Sequence, residues 1–68
     1  MTRLRINGVE AEVTAATIAE LLLARGIDPQ ARFLAVALNG EVVRRAEWQH
    51  QALASGDSVE IVRPLQGG

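Results

Sequence analysis

Between Thr2 and Val13 the chain alternates apolar and polar residues, TRLRINGVEAEV, and the alternation is broken once, at Asn7-Gly8. Period-two alternation marks strands with one buried face. Asn-Gly is the pair best able to take the positive φ angles of a two-residue type I′ turn, so the segment reads as a β-hairpin. Such a loop sets Ile6 opposite Val9, Arg5 opposite Glu10, Leu4 opposite Ala11 and Arg3 opposite Glu12. One face then holds Leu4, Ile6, Val9, Ala11 and Val13. The other holds two opposite-charge pairs, each contributing about 0.2–1 kcal/mol. The hydrophobic and charge patterns select the same register.

The period then changes. In TIAELLLARGID, Thr17 and Glu20 stand at the spacing of a capping box, and Ile18, Leu21 and Leu22 form an apolar stripe at i, i+3 and i+4, with Leu23 and Ala24 widening it. Gly26 lies where a left-handed residue would close the helix, with Ile27 folding back on Leu22 in a Schellman motif. A helix of about two turns is unstable alone and must lie across a sheet.

RFLAVALNGEVV reads as a second apolar strand, a second Asn-Gly turn at Asn39-Gly40 and a short return strand. The first of these strands is apolar on both faces, as suits an interior position. RRAEWQHQAL forms a short helical or 3₁₀ connection with Trp48 and Leu53 turned inward. SGDSVEIVRP supplies a turn at Gly56-Asp57 and a last strand with Val59 and Ile61 on one face, ended by Pro64, which has no N–H for a ladder. The order is ββαββ(short helix)β, an α+β class: a mixed sheet of about five strands with one helix across one face. The first and last strands form a central parallel pair, because the long path between them rules out a hairpin. Residues 1–63 form the domain and residues 64–68 a C-terminal tail.

Composition narrows the partners. At 68 residues this is a single small domain that buries roughly 60 % of its unfolded surface. There is no cysteine, so disulfides, thiolate metal sites and thiol chemistry are all excluded. The seven positive residues are all arginines, scattered among eight acids, and form no stripe that would track nucleic-acid phosphates. The longest apolar run, Phe33 to Leu38, falls far short of the ~20 residues of a membrane span, and the N-terminus lacks a signal-like apolar region. A cytoplasmic protein that binds neither nucleic acid nor membrane is expected. The absence of lysine removes the acceptor that self-conjugation through isopeptide bonds would need. His50, the single histidine, has no ligand or acid partner at useful spacing and reads as solvated; no metal site is expected. Trp48 reads as a packing anchor.

The ordered set TIAELL, AVALNGEVV, Trp48, GDSVEIV and the closing Gly67-Gly68 resembles, over the whole chain, the ubiquitin-like β-grasp sulfur carriers, and among them the small carrier of thiamin biosynthesis. One departure is Arg44-Arg45, where such carriers often have proline followed by arginine. The resemblance implies a protein that is acted on rather than an enzyme. An E1-like activating enzyme would use ATP and Mg to adenylate the Gly68 carboxylate, a sulfur donor protein would convert it to a thiocarboxylate, and a thiazole synthase would take the sulfur. No cofactor would be bound by the carrier itself. The molybdopterin synthase small subunit shares this fold and activation and is the alternative carrier. A ubiquitin-like module that binds partners without activation is a third reading.

The tail suits acyl activation on chemical grounds. A carboxylate is a poor acyl donor until joined to AMP, and the mixed anhydride must be shielded from water in a closed site. Five residues span at most about 16–18 Å, enough to reach from a docked surface into a pocket. Gly67 and Gly68 lack Cβ atoms where a channel would be narrowest. Gln66 and Leu65 would thread with them. Val62, on the face opposite Ile61, and Leu65 are candidate docking residues.

Overall fold

The structure is a computed structural model that describes residues 1–63. β1 (Thr2–Ile6) and β2 (Val9–Val13) form the expected hairpin in the expected register, from Thr2 opposite Val13 to Ile6 opposite Val9. Asn7 (φ 51°) and Gly8 (φ 83°) both take positive φ, as do Asn39 (φ 52°) and Gly40 (φ 86°) between β3 (Ala35–Leu38) and β4 (Glu41–Val43). A 3₁₀ turn (Arg45–Glu47) leads towards β5 (Ser58–Val62). The sheet order is β2-β1-β5-β3-β4, with β5 at the centre, parallel to β1 and antiparallel to β3.

One helix, α1 (Ile18–Ala24), crosses the sheet and buries Ile18, Leu21 and Leu22 against Leu4, Ile6, Val36, Val59, Ile61 and Trp48. Thr17 Oγ1 accepts from the Glu20 N–H (3.2 Å), and a Glu20 carboxylate oxygen accepts from the Ala16 N–H (2.8 Å), one residue further out than a standard capping box. The remaining free donors of the first turn reach the segment after the 3₁₀ turn: the Ile18 N–H donates to the Gln51 carbonyl and that of Ala19 to the Trp48 carbonyl. At the other end the Schellman bonds form as expected. Ile27 N–H donates to Leu22 O (2.8 Å) and Gly26 N–H to Leu23 O (3.0 Å), with Gly26 at φ 75°.

Three expectations about burial fail. Leu23 and Ala24 do not widen the helix stripe: both are exposed, Leu23 because at about 100° per residue it lies ~140° round from Ile18; Ala19 packs against the core instead. Val9 keeps its register but is exposed. A helix about 10 Å across cannot cover a sheet of five strands spaced ~4.8 Å apart, so the edge strands are only partly sheltered. Phe33 is not part of the strand: it is 79 % exposed at φ 62°, and the chain enters β3 two residues later.

Candidate functional site

The central strand β5 carries the chain towards residues 64–68, so whatever holds β5 sets where that segment begins. Val59 and Ile61 point into the core, and Ser58, Glu60 and Val62 therefore face the opposite, helix-free side. On that side Val62 lies opposite Ala35, Glu60 opposite Ala37, and Ala37 opposite Val42. Val62 and Val42 are both large exposed hydrophobics, 60 % and 77 % accessible. The free face is thus divided. Its β5-β3-β4 half is largely apolar, with Val62, Ala35, Ala37 and Val42 interrupted by the exposed Glu60.

Its β2-β1 half is charged, with Arg3 3.8 Å from Glu10 and 3.6 Å from Glu12, and Arg5 3.7 Å from Glu10. These pairs are solvated and contribute at most about 1 kcal/mol each. They are satisfied locally and leave no unbalanced basic stripe.

Gly68, Gly67, Gln66 and Leu65 lie outside the described residues, as does Pro64. Val62 is placed where the alternation put it, facing away from the helix. His50 is exposed, and no group of three or more metal-ligating side chains occurs among the described residues. Among them, too, no helix is long and apolar enough to cross a membrane.

Trp48 is 2 % exposed and donates its indole N–H to the Val43 carbonyl (2.8 Å), which ties the 3₁₀ connection to β4 as a packing anchor does. The Arg45 guanidinium stacks 4.8 Å from its ring and donates to the carbonyls of Pro29 and Ala31 (2.7 Å to the latter). The departure at Arg44-Arg45 therefore leaves a working strut between two loops.

Sequence reasoning treated the two Asn-Gly pairs as turns alone and missed a second use of their side chains. Asn39 Oδ1 accepts from the Ser58 N–H (2.9 Å) and its Nδ2 donates to Asp57 (3.0 Å), at the start of β5. Asn7 Oδ1 accepts from the Ile61 N–H (2.7 Å) and its Nδ2 donates to the Ile61 carbonyl (3.2 Å), near the end of β5. The available signal was the choice of asparagine, a donor and acceptor together, where glycine would also turn.

Known proteins agree with this arrangement. No curated protein matches the sequence significantly. A crystal structure of a thiamine biosynthesis protein (ThiS) from Geobacter metallireducens superposes with a TM-score of 0.79 at 34 % identity, covering 98 % of this chain and 100 % of that one. An NMR solution structure of a thiamine biosynthesis protein from the same organism gives the same TM-score and identity, over 98 % of this chain and 88 % of the other. The fold is therefore the ubiquitin-like β-grasp. The ThiS family model matches residues 4–68, which include the helix, both Asn-Gly hairpins, β5 and the closing glycines, so the chain belongs to the ThiS family.

Proposed function

We propose that this chain is the sulfur carrier of thiazole formation in thiamin biosynthesis, working in the cytoplasm as a protein co-substrate rather than an enzyme. The observation that carries the reading is the family match running to Gly68, on a fold whose central strand β5 is the last element before that residue in the sequence. In the proposed cycle a Gly68 carboxylate oxygen attacks the α-phosphorus of ATP, held with Mg by an adenylating partner, and pyrophosphate leaves. A sulfur nucleophile from a donor protein then attacks the carbonyl carbon of the mixed anhydride and AMP departs. Where that nucleophile is the donor's persulfide, the product is an acyl disulfide. A thiol attacks the donor-side sulfur, the S–S bond breaks and the donor leaves as a mixed disulfide. The chain keeps a thiocarboxylate, from which a thiazole synthase takes sulfur.

The division of labour follows from what the chain lacks and offers. Activation raises the leaving-group ability of the acyl oxygen, and the partner supplies the electrostatics and excludes water. The carrier supplies reach and fit. Gly67 and Gly68 admit the tail to a narrow site, Gln66 and Leu65 span the approach, and Val62 with Ala35, Ala37 and Val42 offers a largely apolar strip beside the tail's origin for docking.

Reconstitution tests the reading. The thiocarboxylate form, incubated with a thiazole synthase and its small-molecule substrates, should support thiazole formation, and a chain ending at Gln66 should support none. An intact thiocarboxylate that serves the large molybdopterin synthase subunit but not the thiazole synthase would move the protein to the other carrier pathway. Full partner function by the truncated chain would make it a plain binding module.

A further inference from the structure

β1 ends at Ile6, opposite Val59, and so stops three residues short of the end of β5 at Val62. The parallel ladder between them pairs Arg5 with Ser58 and Ile6 with Val59, and its last main-chain bond runs from the Asn7 N–H to the Val59 carbonyl (2.9 Å). Continued in the same step, the next bonds would join Ile61 to main-chain groups of a longer β1. The chain cannot supply them, because at Asn7 and Gly8 it turns back into β2.

The Asn7 carboxamide stands in for the missing peptide unit. Its Oδ1 takes the Ile61 N–H (2.7 Å) as a β1 carbonyl would, and its Nδ2 donates to the Ile61 carbonyl (3.2 Å) as a β1 amide would. On its other side the end of β5 is paired with β3, at Val36 opposite Ile61 and Ala35 opposite Val62. The carboxamide thus takes both main-chain groups that Ile61 turns towards β1, only three residues before Pro64, while the alternate residues Glu60 and Val62 face β3.

We propose that Asn7 is a positioning residue: its side chain fixes the end of β5 from which the C-terminal segment departs, and so fixes the distance over which that segment delivers its carboxylate. The second half of this statement rests on the carrier reading; the first does not. Without the carboxamide, the Ile61 N–H and carbonyl lose these partners, and the end of β5 is held only through the pairing of its neighbours with β3. The strand end then opens more often, and the effective start of the tail moves towards residue 61. Orientation of a reacting group contributes strongly to rate, so the loss falls on the chemical step, whereas docking by the exposed face of the sheet is untouched.

The test compares Asn7→Gly with Asn39→Gly in the full chain. Both substitutions retain a residue suited to the left-handed turn, and both remove two side-chain hydrogen bonds to one end of β5 or its approach. Only Asn7 is at the tail end. Amide hydrogen exchange, which needs no partner, should speed up about tenfold or more at Ile61 in Asn7→Gly and stay near wild type there in Asn39→Gly. Asn7→Asp, which keeps the acceptor and loses the donor, should fall between. With an activating enzyme and ATP, Asn7→Gly should lower kcat for adenylate formation several-fold at unchanged KM, and Asn39→Gly should change neither.

Unchanged Ile61 exchange in Asn7→Gly overturns the clamp even if the chain is a carrier. Faster exchange with unchanged kcat overturns its part in delivery. If the wild-type chain is never adenylated, the carrier reading fails, and the exchange result by itself upholds or overturns the clamp.

Discussion

Truncating Val62 to alanine separates docking from folding. The substitution removes two methyl groups, which forgoes about 1.6 kcal/mol where burial is complete, at ~0.8 kcal/mol per CH₂. Val62 is 60 % exposed in the free chain, so the fold has already realised about 0.6 kcal/mol of that total and a partner covering the strip would realise the remaining ~1 kcal/mol. The free chain should therefore lose about 0.6 kcal/mol of stability by denaturant titration, and KM for the carrier in ATP–pyrophosphate exchange should rise about fivefold. Val42 is 77 % exposed and lies across Ala37 from β5, so Val42→Ala should raise KM by a similar or slightly larger factor. The double variant should reach about fortyfold if the two contributions add. Far-UV circular dichroism confirms that each variant is folded under the assay conditions. A double variant whose KM stays within about twofold of wild type, with stability reduced as expected, refutes the docking strip.

Three further outcomes follow from the local geometry. Phe33 holds φ at 62° with its side chain exposed, so Phe33→Gly should relieve more backbone strain than the added chain entropy costs and raise stability by about 0.5–1 kcal/mol in urea titration. Gly26→Ala should cost about 1 kcal/mol through its φ of 75° alone, since nothing lies within 4 Å of the added Cβ; a loss much larger than that would point to a clash the structure does not contain. Trp48→Phe should lower the melting temperature through lost packing and the lost indole hydrogen bond to the Val43 carbonyl, the bond contributing about 0.5–1.5 kcal/mol, while leaving kcat for adenylation of the folded fraction unchanged.

What the sequence disclosed was mostly what neighbouring residues decide among themselves. The Asn7-Gly8 turn sets a register that the Arg3–Glu12 and Arg5–Glu10 pairs repeat, and the Gly26-Ile27 closure is contained within a few residues of chain. The parallel β1–β5 pairing was also legible, because connectivity leaves those strands few other places. Burial was harder. Val9, Leu23 and Phe33 are apolar and sit in apolar patterns, yet whether each is covered depends on the width of one short helix against five strands.

The long-range polar contacts were illegible for a related reason. Asn7 reaches Ile61 across 54 positions, and Arg45 reaches the carbonyls of Pro29 and Ala31 across a loop, so nothing adjacent to either announces its partner. The face proposed for docking was illegible in the same way, because Val62, Ala35, Ala37 and Val42 come together only once β5, β3 and β4 are side by side.

The most direct test of the carrier account is the intact mass of the chain after incubation with ATP, Mg, a ThiS-activating enzyme and a sulfur donor. The account predicts a gain equal to the replacement of one oxygen by one sulfur, localised by fragmentation to Gly68, dependent on ATP and absent from a chain ending at Gln66. An unchanged mass, under conditions in which a ThiS protein from another source acquires the sulfur, would contradict it.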